Sequence, residues 1–291
     1  MDYLSHILVF IFIYASLAMS LDLVAGHTGL VSLAHAAFFG IGAYASSLLA
    51  IHEAVPFPAD LVVAALLGVL ASLCVSLPSL RLHGDYFVIA TFAFQMIVFS
   101  TLNNWVEFTG GPMGLAGIPQ PTVGGLVLNS HGYFVLLSAA FAVLSLVIAT
   151  RLTSGPFGRV LHAIREDEVF AAALGKSPVQ FKIVAVAVGA MIAAVAGGLY
   201  ARYMAFVDPT SFTVTESILV LSMVIVGGAG RSSGVILGAV LLVVLPEALR
   251  FVGLPSVAAA NIRQIIYGAT LVALMAFRPQ GILGKYAFGK D

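Results

Sequence analysis

Apolar residues run along this chain in blocks of about 20, each closed by glycine, proline or a polar cluster. A helix rises about 1.5 Å per residue, so such a block matches a hydrocarbon layer about 30 Å thick. Reading between the breaks predicts nine spans: 4–24, 28–50, 60–78, 85–102, 132–150, 178–204, 214–229, 234–252 and 261–277. Eight to ten is the range the runs allow. The expected fold is all-α, a polytopic transmembrane helical bundle forming a single domain over 1–291.

One polar stretch, SGPFGRVLHAIREDEVFAAALGKSPVQFK, interrupts this text. From Arg151 to Lys182, 32 positions hold eight of the chain's 26 charges: Arg151, Arg159, Arg165, Glu166, Asp167, Glu168, Lys176 and Lys182. Gly155 and Pro156 end the preceding helix, and Gly158 to Ile164 predict a short one. Asp167 is placed to cap a second helix. Ala171 to Leu174 continue it to Gly175, the expected left-handed stop. Ser177, Pro178 and Gln180 then read as N-cap, first-position proline and capping-box partner of the next span. Plotted at helical spacing, Leu161, Ile164 and Ala171 share one side, whereas Val169 and Phe170 do not. A helix lying on lipid needs one apolar stripe opposite one basic face. This segment lacks that division, so 151–177 is read as a platform that meets a soluble protein; a solvated charged loop is the plainer alternative.

Composition narrows the class. Hydrophobic residues make up 60% and charged residues 9%, against about 25% charged in soluble domains. With a mean hydropathy of +1.07, only an integral membrane protein fits. Net charge is zero, so nucleic acid is not an expected partner. The lone Cys74 gives neither a disulfide nor a metal-site spacing. The seven histidines are scattered without an H-x-x-x-H pair; no metal, cofactor or catalytic residue is expected, and a membrane-embedded enzyme is disfavoured. The opening MDYLSH lacks the basic region of a cleaved signal, so the first run is expected to remain as a helix.

Alternating through nine spans places the N-terminus outside and the C-terminus inside. The inner side then receives ten cations (Arg81, Arg151, Arg159, Arg165, Lys176, Lys182, Arg231, Arg278, Lys285, Lys290) and the outer side three (Arg202, Arg250, Arg263). That asymmetry is what the positive-inside rule requires, and it makes the platform cytoplasmic.

The outer segment 103–131 is long for a connector. Its core, TGGPMGLAGIPQP, interleaves Gly110, Gly111, Gly114 and Gly117 with Pro112 and Pro119, which predicts a folded loop or a segment dipping into the membrane; a solvated linker is the alternative. Span 28–50 carries Ser32, Ala36 and Gly40 at four-residue intervals, a pattern that lets helices approach closely, after a tight turn from Gly26 to Gly29. His35 and Phe39 lie on the adjacent line. His35 is read either as a packed, hydrogen-bonded residue or as a border of a solute route. Glu247 is expected to pair with Arg250. Two glycine-rich inner turns, Gly26–Gly29 and Gly227–Gly234, suggest two related halves. Spans 28–50 and 234–252 are expected to line a path against a second subunit, with Ser32, His35, Phe39, Gly40, Gly111 and Gly114 as its candidate residues. No phosphate-cradling G-x-x-x-x-G-K-[ST] occurs, and no ionisable residue sits at a span centre, which argues against ion coupling.

The run GRVLHAIREDEVFAAALG resembles the cytoplasmic coupling segment of permease subunits in the branched-chain amino acid ABC importers, the LivM type. GHTGLVSLAHAAFFGIGAYAS (26–46), GGPMGLAGIP (110–119) and RPQGILG (278–284) match the same family, so the likeness covers essentially the whole chain. It implies a prokaryotic inner-membrane permease, driven by separate ABC ATPase subunits and paired with a second homologous permease. An extracytoplasmic solute-binding protein would supply most of the selectivity, in keeping with the absence of any cluster of convergent polar groups. By the same resemblance Gly158, Arg159, Ile164, Arg165, Glu166, Asp167 and Gly175 sit in or beside the helix that docks into an ATPase; Arg165 and Glu166 pair either with that partner or with each other. A urea or short-amide importer is the nearest alternative solute class, and a sugar importer a more distant one.

Overall fold

The computed structural model describes residues 2–53, 55–79, 86–123, 126–127, 131–250, 265, 268–269 and 280–284. The expected span 261–277, apart from 265 and 268–269, and the basic residues Arg81, Arg263, Arg278, Lys285 and Lys290 lie outside the described residues.

Eight of the predicted runs are helices: α1 (Asp2–Thr28), α2 (His35–His52), α3 (Ala59–Ser79), α4 (Tyr86–Asn104), α6 (His131–Ser154), α9 (Pro178–Met204), α10 (Val214–Gly227) and α11 (Ser232–Arg250). Between them lie the short α5 (Val106–Thr109), α7 (Pro156–Glu166) and α8 (Glu168–Ala173). Among the described residues, five helices are long and apolar enough to cross a membrane: Tyr3–Thr28, Ala59–Pro78, Tyr86–Asn104, His131–Ser154 and Pro178–Met204. The polytopic helical class expected from the hydropathy pattern is what the chain forms.

The core is built around α2 and α9. Their backbones nearly touch, because glycine removes the side chains that would keep them apart: a Cβ on Gly42 would overlap the Ala194 backbone, and one on Gly197 the Phe39 carbonyl. Small residues bring apolar helices close in this way. The stripe through Ser32, Ala36 and Gly40 is a different line from this contact. Ser32 is not helical at all, and Gly40 instead faces Phe212, whose side chain would lie 3.0 Å from a Cβ at that position.

The break before α2 has a physical cause. α1 runs through Gly26 and ends at Thr28, and Gly29 takes φ +76°, which starts the turn later than the Gly26–Gly29 expectation. Residues 29–34 are irregular, and their amides need partners wherever water is excluded. They have them. Leu33 N donates to Thr91 Oγ1 at 3.2 Å, Ala34 N to Ser32 Oγ at 3.3 Å and Ala36 N to Ser217 Oγ at 2.9 Å.

Two short ladders complete the fold. In the 103–131 segment, β1 (Leu115–Ala116) pairs antiparallel with β4 (Phe206–Val207), and β2 (Thr122–Val123) pairs with β3 (Leu126–Val127). The segment is thus a folded loop rather than a solvated linker. Gly110, Gly111, Gly114 and Gly117 all have φ between +55° and +75°, a region other residues resist, so the glycine spacing is a backbone requirement.

Candidate functional site: the polar platform and the groups it meets

The bundle has a platform end, which carries α7 and α8, and a loop end, which carries 103–131 and the α9–α10 link. Glycine sets the platform against α6. A Cβ at Gly158 would overlap the Thr153 backbone, so only glycine admits so tight a turn into α7. Leu161, Ile164 and Ala171 are buried, at 0%, 3% and 1% exposure, whereas Val169 and Phe170 stand 80% and 60% exposed. The helical plot placed these five residues on the sides they occupy. Leu174 is 64% exposed and joins Val169 and Phe170 in an outward apolar ridge. A shallow groove of about 280 Å³ lies alongside, lined by Arg159, Val160, Ala163, Leu174 and Lys176 among others.

The caps are as the sequence suggested, with one difference. Asp167 adopts an extended conformation and its side chain accepts from Phe170 N at 2.8 Å, which caps α8. Gly175 has φ +77°. Ser177 precedes Pro178 at the start of α9, but its hydroxyl donates to Gln180 Oε1 at 2.6 Å instead of serving the backbone. The two capping-box side chains satisfy each other.

Arg165 makes a contact that the sequence reading did not consider. Its guanidinium donates to the Gly26 carbonyl at the end of α1, and its aliphatic stem packs over Gly29, with Cγ 3.3 Å from where a Cβ would stand. Arg159 and Glu166 remain exposed. Beneath, Asp22 is 2% exposed; it accepts from Gly230 N at 2.8 Å and lies 3.7 Å from His27 Nδ1. The His27 and His162 rings stand 5.2 Å apart. On the other flank, Glu168 and the buried Lys182 form an ion pair at 2.5 Å. The platform is therefore tied to α1 through Arg165, to α9 through Lys182 and, by way of Asp22, to the turn between α10 and α11. In the described part of 278–284, Ile282 N and Leu283 N donate to the Val226 and Gly227 carbonyls at the same end.

The route candidates are less exposed than expected. α2 is enclosed by α3, α4, α9 and α10 of its own chain. His35 is 1% exposed and contacts the Phe38 ring edge-on. It is packed, as anticipated, with the Ser20 backbone as its polar neighbour. Phe39 stacks among Tyr200 and Phe212. Gly111 and Gly114 belong to the loop end, where Gly114 packs on the Val207 backbone.

Sequence reasoning missed the principal polar contacts of the loop end. Asp60 and Arg202, both buried, pair at 2.9 Å. Arg202 also donates to the Pro119 carbonyl at 2.7 Å, clamping the loop, and Ser46 donates to Asp60 at 2.5 Å. Tyr14 donates to Glu216 at 2.5 Å, and His6 Nδ1 lies 2.8 Å from Tyr203 Oη. Glu247, expected to pair with Arg250, accepts from the Tyr3 hydroxyl; the Arg250 side chain lies outside the described residues. The one available signal was that alternation put Asp60 and Arg202 at the same end.

A family model described as "Branched-chain amino acid transport system / permease component" matches residues 3–275. The chain is 37% identical over 294 aligned residues to the high-affinity branched-chain amino acid transport system permease protein LivM of Salmonella typhimurium, covering 93% of this chain and 68% of that protein. The LivM protein of Escherichia coli gives the same figures. The corresponding LivH permease of Salmonella typhimurium is 26% identical over 94% of this chain and 91% of its own length. No solved structure matches. The chain, with its enclosed α2, its anchored platform and this likeness along nearly all its length, belongs to the family of branched-chain amino acid transport system permease components.

Proposed function

We propose that this protein is the membrane-spanning subunit of an ATP-driven importer, passing branched-chain or related small amino acids handed over by an extracytoplasmic binding protein. It spans the inner membrane nine times with its N-terminus outside. The platform faces the cytosol and seats in an ATPase subunit, and a second homologous permease completes the pore; Salmonella typhimurium has both a LivM and a LivH permease. The observation that carries this reading is the platform itself. Val169, Phe170 and Leu174 present an exposed apolar ridge, while Arg165 and Lys182 fasten its underside to the bundle. A solvated loop needs neither a ridge nor anchors. A joint that transmits force needs both, and Arg159, Glu166 and Lys176 around the ridge supply charges that fix register.

Expression with candidate partners, extraction in mild detergent and mass spectrometry of what co-elutes tests the assignment. The wild-type chain should retain an ATPase, and the Val169→Asp/Phe170→Asp variant should lose it while inserting normally. Retention of the ATPase by that variant would refute the docking surface. Energised uptake of leucine, urea and acetamide by the purified assembly separates the amino acid reading from the amide one.

A further inference from the structure

At the loop end, a cavity of about 190 Å³ opens between α1, α10 and α11. That is far more than the roughly 10–15 Å³ one water needs and less than the roughly 300 Å³ at which drug-sized sites begin. The space suits one small solute. Its walls are of two kinds: Leu219, Met223 and Val243 form an apolar side, while His6, Tyr14 and Glu247 bring polar groups from the outer turns of two helices. Among the described residues, the lining contains no lysine or arginine. Tyr14 in turn donates to Glu216, so two carboxylates stand at or just behind the wall. Carboxylates inside a membrane segment are costly and are kept mainly for function. Each already accepts from a tyrosine, and a carboxylate has roughly four acceptor sites, so an ammonium can share it with the hydroxyl.

We propose that this cavity is a transient binding site for the transported solute itself, an aliphatic amino acid whose ammonium group meets Glu247 while its side chain lies against Leu219, Met223 and Val243. His6 is the lining group suited to the α-carboxylate. The proposal rests on the importer reading and adds to it: the permease, and not only its binding protein, discriminates by side-chain size. The polar groups that converge here come from opposite ends of the sequence, at separations of about 200 residues.

The test is competitive uptake of labelled leucine and alanine into vesicles containing the complete importer, with ATP inside and binding protein outside. Val243→Phe should lower the leucine-to-alanine ratio about tenfold relative to wild type, the scale at which one methylene is discriminated. Val243→Ala should move the ratio the other way and admit phenylalanine. Glu247→Gln should depress uptake of both solutes while binding-protein-stimulated ATP hydrolysis persists. If Val243→Phe fails to assemble, Val243→Ala and Glu247→Gln still decide the matter. Wild-type ratios in the assembled Val243 variants, or undiminished uptake by Glu247→Gln, would overturn the cavity assignment and leave the importer reading standing. A wild-type complex that accumulates no aliphatic amino acid at all would instead sink the importer reading, and the cavity proposal with it.

Discussion

Arg202→Met isolates how the loop end is held. Asp60 is 0% exposed and Arg202 3%, and Nε and Nη2 of Arg202 donate to the same Asp60 oxygen at 3.1 and 2.9 Å. The substitution leaves a buried carboxylate with the Ser46 hydroxyl as its remaining donor and an already unpartnered Oδ1, among the described residues. Removing one member of a buried ion pair costs about 3–5 kcal/mol. The bond to the Pro119 carbonyl is lost as well, so the single variant should fall near the upper part of that range. Asp60→Leu, which strands the guanidinium instead, should cost a similar amount. Replacing both members with apolar residues of similar volume is often close to neutral, so Asp60→Leu/Arg202→Met should recover most of the loss. Two single losses of about 4–5 kcal/mol each, against about 1–2 kcal/mol left in the double variant, give an expected coupling energy of about 6–9 kcal/mol, well outside the roughly 0.5 kcal/mol within which independent sites add. Unfolding the four proteins with SDS in mixed micelles, followed by far-UV circular dichroism, measures it. If the double variant is as destabilised as the two singles together, the residues do not act as a buried pair, and the account of the loop end is wrong.

Other expectations concern the platform and the core. Arg165→Ala cuts the tie between α7 and the Gly26 carbonyl, so uptake should drop at least about tenfold while the ATPase still co-purifies and hydrolyses ATP; loss of assembly would show that the residue faces the partner. Asp167→Ala should weaken α8 by about 0.5–2 kcal/mol, the cost of an N-cap, with Asp167→Asn close to wild type; ATPase affinity of the two variants measures it. Gly42→Val forces α2 off α9 and should destabilise the bundle by at least about 1–3 kcal/mol, read by the same SDS titration. Cys74 is exposed on α3, so Cys74→Ala should leave both stability and uptake unchanged.

Hydropathy made the helices legible because each membrane segment must satisfy its own backbone, whatever its neighbours. Local chemistry was legible for a similar reason. Asp167 caps a helix three residues away, and Gly175 stops one by its own φ. What did not show in the sequence was the identity of distant partners. Arg202 finds Asp60 across 142 positions, and Tyr14 finds Glu216 across 202; no spacing rule reaches that far. Ser32 misled because its four-residue interval with Ala36 and Gly40 looks helical, while Gly29 and the side chains of Thr91 and Ser217 hold that segment open. The Arg165 contact with the Gly26 carbonyl was equally invisible, because it joins positions 139 residues apart.

The swallowed position of α2 bears on biogenesis. Ribosomes deliver a chain from the N-terminus, so α2 enters the bilayer well before α9, whose glycines and alanines form its main wall. During that interval His35 and the Ser46–Ser47 pair lack the α9 side of their sheath, and Arg202, which later answers Asp60 beside Ser46, has not yet been synthesised. Maturation must therefore include a late closing event in which α9 slots against a helix already waiting in the lipid. Fragments truncated ahead of Met204 should be cleared by membrane quality-control proteases far faster than those that extend beyond it.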